Sequence, residues 1–410
     1  MAAPRQYLCR KEWLFSMLNF DIQFPTHIHF GRGKIEELAG EILTYGKKVL
    51  LVYGGGSIKR SGLYEQLLNI FKDSGITPIE LPGVQPNPRI SSVRQGVKLC
   101  REHEVELVLA VGGGSTIDCA KIIAAGTGYE GDAWDFFTRR ARITHALPLG
   151  CILTLAATGS EMNGNAVISN EETEEKLGTG SPLLIPRFSI LDPEYSFSVP
   201  PEQTAAGTVD IMSHVFEQYF SPTPGTFIQD RLAEAMLKTC IHYGPIALAE
   251  PDNYEARANL MWTGSLALNG LLGAGKRTDW ATHDIEHEIS AIYDVTHGLG
   301  LAILTPYWMY YVLDEKTAPR LADYARYVWG IEGNEDLAVA RVGIEKTAEF
   351  FRSLHLAGSL KEIGVEAERL EEMAMKATAG GSLGSFKKLE YLDVLTILQN
   401  AYKGNTAFSA

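Results

Sequence analysis

From residue 47 to about 195, short runs of Val, Ile and Leu alternate with longer stretches in which apolar residues recur every three to four positions. Short apolar runs bounded by turn signals read as buried strands, and the amphipathic stretches after them as crossover helices. KKVLLVY (47–53), ITPIEL (76–81) and VELVLAV (105–111) are thus strands, and GLYEQLLNIFKDSG (62–75), SSVRQGVKLCREH (91–103) and STIDCAKIIAAGT (115–127) helices. This rhythm predicts a parallel sheet with covering helices, a nucleotide-binding pattern. After SILDPEYSFSVPPEQT the β-rich runs stop, and nearly everything to the C-terminus has helical period, punctuated by Pro and Gly. The chain therefore divides into an extension (1–18), an α/β dinucleotide-binding domain with a parallel sheet (19–197) and an all-α domain (198–410). FDIQFPTHIHFG (20–31) alternates apolar and polar residues and reads as a strand near a sheet edge. Unpaired edges are usually covered or shared, so a homodimer with N-terminal strands in its interface is expected.

Two copies of GGGS, at 54–57 and 112–115, each follow a strand-like run directly and precede a helix-like one. Glycines let backbone N–H groups approach a ligand closely, and a helix N-terminus favours an anion, so phosphate is the natural guest. The competing reading is two tight turns in a chain with 40 glycines. A third turn, TLAATGSE (154–161), offers Thr154, Thr158 and Ser160 as hydroxyl donors, which suits a dinucleotide. Neither GGGS copy is the spaced G-x-G-x-x-G fingerprint. Selection of NAD usually uses an acidic residue on the adenosine ribose. No carboxylate occurs from Lys47 to Tyr64, while Gly55, Gly56, Ser57, Lys59 and Arg60 supply open backbone, a hydroxyl and positive charge. NADP(H) is therefore expected in preference to NAD(H).

Candidate chemistry of another kind lies in the helical half. TVDIMSHVFEQY (208–219) sets Asp210 and His214 four residues apart in a mostly apolar run, and WATHDIEHEISAIYDVTHGLGLAIL adds His283, His287 and His297. Residues four apart share a helix face, and a desolvated carboxylate needs a compensating partner. One carboxylate with several imidazoles from separate helices suits a borderline divalent metal, iron(II) or zinc. The competing reading is satisfied core histidines and an Asp210 that interacts only with the helix macrodipole. Glu286 and Glu288 read as a solvated face. His27, His29, His103, His145, His242 and His355 are isolated and read as structural or surface residues.

Composition narrows the partners. At 410 residues and net charge −13, with no basic block, the chain is a poor ligand for nucleic acid or anionic membranes. Five scattered cysteines without a C-x-x-C pair suit a reducing cytosol, so a cytoplasmic location is expected. The longest charge-free run is too short and too rich in Gly, Pro and Thr to span a bilayer.

In order, GGGSTIDCAK, TLAATGSE, VDIMSH, THDIEHE and VTHG resemble the iron-containing, or group III, alcohol dehydrogenases from about residue 20 to the C-terminus. YGGGSIKRSG, EETEEKLG, LNGLLGAG and DWATH are most similar to its butanol dehydrogenase and NADPH-dependent aldehyde reductase branch. The resemblance implies a cleft between the two domains that holds nicotinamide and metal. It implies Asp210, His214, His283 and His297 as four metal ligands, and His287 as a proton relay beside the substrate. It also implies cofactor contacts at Gly54, Gly55, Gly56, Ser57, Asn87, Gly113, Gly114, Ser115, Asp118, Thr154, Thr158, Ser160 and Lys176. The expected activity interconverts primary alcohols and aldehydes, small-molecule substrates, by hydride transfer. Alternatives are a glycerol dehydrogenase-like polyol oxidoreductase, a dehydroquinate synthase and a non-catalytic metal or nucleotide sensor. The synthase needs basic residues near the metal, for which only Lys276 and Arg277 are close in sequence. The family pattern departs at the basic N-terminal extension, and at the GGGS loop where NAD-preferring members carry an aspartate.

Overall fold

The computed structural model describes residues 16–404, so the N-terminal extension falls almost entirely outside the described residues. In chain order the first half contains β1 (His27–Phe30), α1 (Leu38–Leu43), β2 (Lys48–Tyr53), α2 (Ser57–Arg60), α3 (Leu63–Ser74) and β3 (Thr77–Leu81). It continues with α4 (Ile90–His103), β4 (Leu107–Gly112), α5 (Gly114–Thr127), β5 (Leu149–Leu153), β6 (Asn165–Asn170), β7 (Glu175–Gly180) and β8 (Phe188–Leu191). Six strands form one sheet in the order β1-β8-β5-β4-β2-β3, with every neighbouring pair parallel. Strand side chains alternate between faces, and both faces are covered, so β4 and, after Lys48, β2 are apolar and buried. Leu50, Val52, Val108 and Ala110 pack in the layer of α4 and α5. Val49, Leu51, Tyr53, Leu107 and Leu109 pack on the other side, with Leu38 and Ile42 of α1 and Leu67 and Phe71 of α3.

The chain leaves β2 toward β3 on one side and leaves β4 toward β5 on the other. A crevice therefore opens between the C-terminal ends of β2 and β4, where the strand order reverses and ligands of open α/β sheets bind. Both GGGS loops sit at this point. The β6–β7 pair interrupts the parallel rhythm as a separate antiparallel hairpin. Its four-residue turn, 171–174, ends at Glu174 with positive φ.

The second half contains α6 (Pro201–Tyr219), α7 (Phe227–Ala249), α8 (Tyr254–Ala267), α9 (Ala281–Tyr293), α10 (His297–Val312), α11 (Ala318–Trp329), α12 (Asp336–Ser353), α13 (Leu370–Ala377) and α14 (Tyr391–Lys403). No strand follows β8 among the described residues. Helix α6 is buried on all sides from Thr204 to Tyr219, which makes it the central helix of this half. Val209, Met212, Val215 and Phe216 share one core with Trp308 of α10 and Tyr324 of α11. No helix of the described residues is long and apolar enough to cross a membrane. Cys100, Cys119, Cys151 and Cys240 are buried and free; Cys9 lies outside the described residues.

Two glycines set the position of α6. A side chain at Gly207 would meet the carbonyl oxygen of Ala156, in the turn after β5, and one at Gly298 would meet the carbonyl oxygen of Ala206. The first turn of α10 thus lies directly on the backbone of α6. Gly298→Ala is expected to lower stability by roughly 1–3 kcal/mol, the usual cost of overpacking. Gly40→Ala, on an exposed helical position with no atom within 4 Å of the added methyl, is expected to be neutral or slightly stabilising. Denaturant midpoints of the two variants at unchanged slope provide the comparison.

Candidate active site

The crevice at the strand ends encloses about 430 Å³ and adjoins a second chamber of about 520 Å³ that reaches into the helical half. Asn87, Gly114, Ser115, Thr158 and His297 line both. The glycine loops form the floor of the first: Gly54, Gly55 and Ser57 after β2, and Gly113, Gly114 and Ser115 at the start of α5, with Thr154 and Thr158 after β5. Gly56 does not line it; at φ 104° it turns the chain into α2. Asn87, also at positive φ, donates its Nδ2 to Asp294 Oδ1 (2.9 Å) and to the Val295 carbonyl (3.1 Å), clasping the α/β half to the helical half.

Asp118, Ser160 and Lys176, expected among the cofactor contacts, line the second chamber only. Asp118 accepts from the Ser160 hydroxyl (2.5 Å) and the Val167 amide (2.9 Å), which ties α5 to the hairpin. Ser160 in turn accepts from Lys121 (2.7 Å), a fully buried ammonium that also reaches the Asn165 carbonyl at 2.7 Å. Burial pushes Lys121 down to about 8. Phe136, Phe137, Val167, Leu268 and Trp280 form the apolar part of the chamber wall, beside the polar side chains of Arg139, Asn163, Thr179 and Asp284.

At the junction of the chambers, four residues from three helices converge. Asp210 and His214 come from the middle of α6, His283 from the first turn of α9, and His297 from the first position of α10. Asp210 Oδ1 lies 3.8 Å from His214 Nδ1 and 3.8 Å from His297 Nε2. The His214 and His283 rings are 4.9 Å apart, and those of His283 and His297 5.2 Å. Asp210, His283 and His297 each offer a ligand atom within 4.8 Å of the others. Asp210 Oδ1, His214 Nδ1 and His283 Nε2 are buried with no hydrogen-bond partner. Burial pushes the Asp210 carboxyl up and the His214 imidazole well down, so neither charge is supported by its surroundings. Buried polar atoms are normally paired, and three orphans around one point are the donor set that a divalent cation requires.

Two carboxylates stand behind these imidazoles. Glu217 Oε1 accepts from His283 Nδ1 at 3.0 Å, and Glu286 Oε2 contacts His297 Nδ1. Each engagement places a proton on Nδ1 and leaves the Nε2 lone pair facing Asp210, the arrangement of outer carboxylates behind metal-ligating histidines. Burial lowers the basicity of His283, but Glu217 more than offsets it and holds the imidazole above its usual range. Glu286 is fully buried, not on the solvated face the sequence suggested; Glu288 beside it is half-buried, and burial pushes it up to about 7. Burial favours the neutral form of Glu286, yet His297 and the Lys176 ammonium 3.4 Å away hold its carboxyl well below the usual range. The spacing carried a signal for both. Glu286 is three residues beyond His283, and Glu217 three beyond His214, each on the face of its helix that bears the histidine.

His287 follows His283 by one turn and lines the second chamber, half-buried, its ring 5.5 Å from that of His297. Glu286, His287 and His297 also lie within ligand distance of one another. The Lys176 ammonium, however, stands 3.4 Å from Glu286 and 3.5 Å from His297 Nδ1, a positive charge that opposes a cation in that group. Lys276, considered for a phosphorylated substrate, is buried against Asp230 (2.6 Å), and neither it nor Arg277 lines a chamber.

Residues 25–193 match the family model for iron-containing alcohol dehydrogenase, and residues 204–402 match the C-terminal model of the same family. The chain is 54% identical over 389 residues to NADH-dependent butanol dehydrogenase A of Clostridium acetobutylicum, covering 94% of this chain and 100% of the relative. It is 42% identical over 369 residues to the NADPH-dependent aldehyde reductase YqhD of Escherichia coli, covering 89% and 94%. The crystal structure of NADH-dependent butanol dehydrogenase A from Thermotoga maritima superposes with a TM-score of 0.91 at 42% identity, over 95% of this chain and 100% of that one. On sequence, domain models and fold together, the chain belongs to the iron-containing alcohol dehydrogenase family, in its butanol dehydrogenase and aldehyde reductase branch.

Proposed function

We propose that this alcohol and aldehyde oxidoreductase interconverts primary alcohols and aldehydes with NADP(H), using iron(II) or zinc held by Asp210, His214, His283 and His297. The observation that carries this reading is the set of three unpartnered buried ligand atoms at the point where an apolar chamber meets the glycine-loop crevice. When bound, the cation supplies positive charge opposite the substrate oxygen, and nicotinamide supplies or accepts the hydride. The protein's own part is orientation. Glu217 and Glu286 fix the His283 and His297 rings, and Lys176 balances the charge of Glu286. Phe136, Phe137, Leu268 and Trp280 exclude water from the reacting carbon. Burial, reinforced by Lys176, holds the His287 imidazole well below its usual range and therefore neutral, able to pass a proton between the chamber and solvent.

The charge of the crevice supports NADP(H). The two curated relatives described above carry opposite cofactor names, so kinship leaves this choice open. Among the residues lining the crevice, Asp210 at the metal end is the sole carboxylate, and Arg60 stands beside the first glycine loop. Glu80, on the neighbouring strand, is occupied by the hydroxyls of Tyr53 (2.6 Å) and Tyr64 (2.8 Å) and does not line the crevice. An exposed apolar stripe of Leu18, Phe20, Ile22 and Phe24, just before edge strand β1, supports a homodimer built on this segment. Light scattering at micromolar concentration is expected to give twice the chain mass, and a monomer overturns the dimer.

Removing Asp210, His283 or His297 by substitution with Ala is expected to lower bound metal and turnover together. His287→Ala is expected to keep the parent's metal content while turnover falls roughly 10²-fold, as for lost proton transfer. Elemental analysis beside steady-state kinetics on the same preparations separates the two; metal loss in His287→Ala with retention in His283→Ala places the ligand one turn away.

For the dinucleotide, a higher kcat/KM with NADPH than with NADH is expected of the parent. No atom lies within 4 Å of a side chain added at Gly55, so Gly55→Asp introduces charge without a clash. It is expected to shift the NADPH:NADH ratio of kcat/KM toward NADH by about tenfold or more, through repulsion of the 2′-phosphate. A parent enzyme that uses NADH better overturns the assignment.

A further inference from the structure

We infer that His27, His29 and Glu41 form a second cation site, at the edge of the sheet, for a borderline divalent transition metal such as zinc(II). The sequence alone left both histidines as isolated residues; the fold brings them together. His27 and His29 are alternate residues of β1, so their side chains leave the same face of the strand. β1 pairs with β8 on one side only, through the register His27 to Phe188 and His29 to Ile190. Helix α1 lays Leu38 and Ile42, both fully buried, against the sheet. Glu41, three residues after Leu38, is left on the flank of that contact, above the edge strand.

The resulting geometry is a three-ligand set. His27 Nδ1 lies 2.6 Å and His29 Nε2 2.8 Å from the same oxygen, Glu41 Oε1, and the two rings stand 4.1 Å apart. One ligand atom from each residue lies within 4.8 Å of the other two. Two imidazole nitrogens and one carboxylate oxygen match the preference of zinc(II), with copper(II) and nickel(II) as chemical neighbours. Admitting an ion requires the Glu41 oxygen to move outward from both nitrogens, because tetrahedral ligands about 2.0–2.2 Å from one zinc stand roughly 3.3 Å apart. Two of the ligands are held by the fold, with the His29 and Glu41 side chains only 10% and 17% exposed, while His27, at 65%, leaves an entry path from solvent. Three protein ligands leave the fourth tetrahedral position to water. None of the three residues lines either chamber of the active site, so a cation here acts on structure and not on turnover. It would pin α1 to the edge strand of the sheet.

The test uses the full-length enzyme and zinc(II) alone. Zinc is titrated into parent, His27→Ala, Glu41→Gln and His27→Ala/Glu41→Gln proteins, with stoichiometry and affinity read by equilibrium dialysis and elemental analysis. Each variant is expected to bind one equivalent fewer than the parent, or to hold that equivalent roughly tenfold or more weakly. Turnover should be unchanged, and the rise in melting temperature on adding zinc should be smaller than in the parent. Asp210→Ala is expected to remove a different equivalent, so failure of the active-site assignment and failure of this one are distinguishable. If the double variant retains the parent's stoichiometry and affinity, or if the parent's additional equivalent is held only at millimolar zinc, the site does not exist.

Discussion

A carboxylate buried in the middle of a fully enclosed helix, with one oxygen lacking any hydrogen-bond partner, is the constraint around which the rest of this molecule is arranged. Leaving an ion uncompensated in a protein interior costs on the order of several kcal/mol, so Asp210 requires nearby positive charge or must be neutral. The surroundings supply imidazoles instead of Arg or Lys at contact distance. Lys176 is spent on Glu286, and Lys121 on Ser160 and the hairpin backbone. What remains at Asp210 is a buried oxygen whose missing partner a cation would supply.

The outer carboxylates explain how that place is kept in register. His283 and His297 sit on two different helices, α9 and α10, and a free imidazole could rotate about its terminal torsion. Glu217, from α6 itself, and Glu286, from α9, each hold the remote nitrogen of a histidine on a neighbouring helix. The cross-pairing links α6, α9 and α10 through polar contacts within an otherwise apolar core. Gly298 completes the arrangement, because only a residue without a side chain lets the first turn of α10 rest on the α6 backbone. The Asn87 clasp to Asp294 and Val295 then fixes the helical half against the strand ends, so the crevice and the apolar chamber share a wall.

Much of this was legible in residue order because periodicity and short spacings are local quantities. Strand runs at 47–53, 76–81 and 105–111, the repeated GGGS, the change to helical period after residue 197 and the i,i+4 pairs of Asp210 with His214 and His283 with His287 all follow from neighbours within one or two turns. The hairpin of β6 and β7 was less visible, since its strands carry Asn, Glu, Lys and Thr and, apart from a single bridge from Ser169 to Arg89, pair only with each other.

The sequence by itself thus determined which residues could ligate a metal, which loops could accept phosphate and which half would be sheet. The tertiary structure alone decided which of them meet and in what state of burial. Lys176 reaches Glu286 across 110 positions and Glu217 reaches His283 across 66, so the charge environment of the site depends on helix packing that no window along the chain records. The same reason separates Glu286 from an ordinary surface glutamate: its helical face was readable, but its burial exists only once α9, α10 and the hairpin close around it.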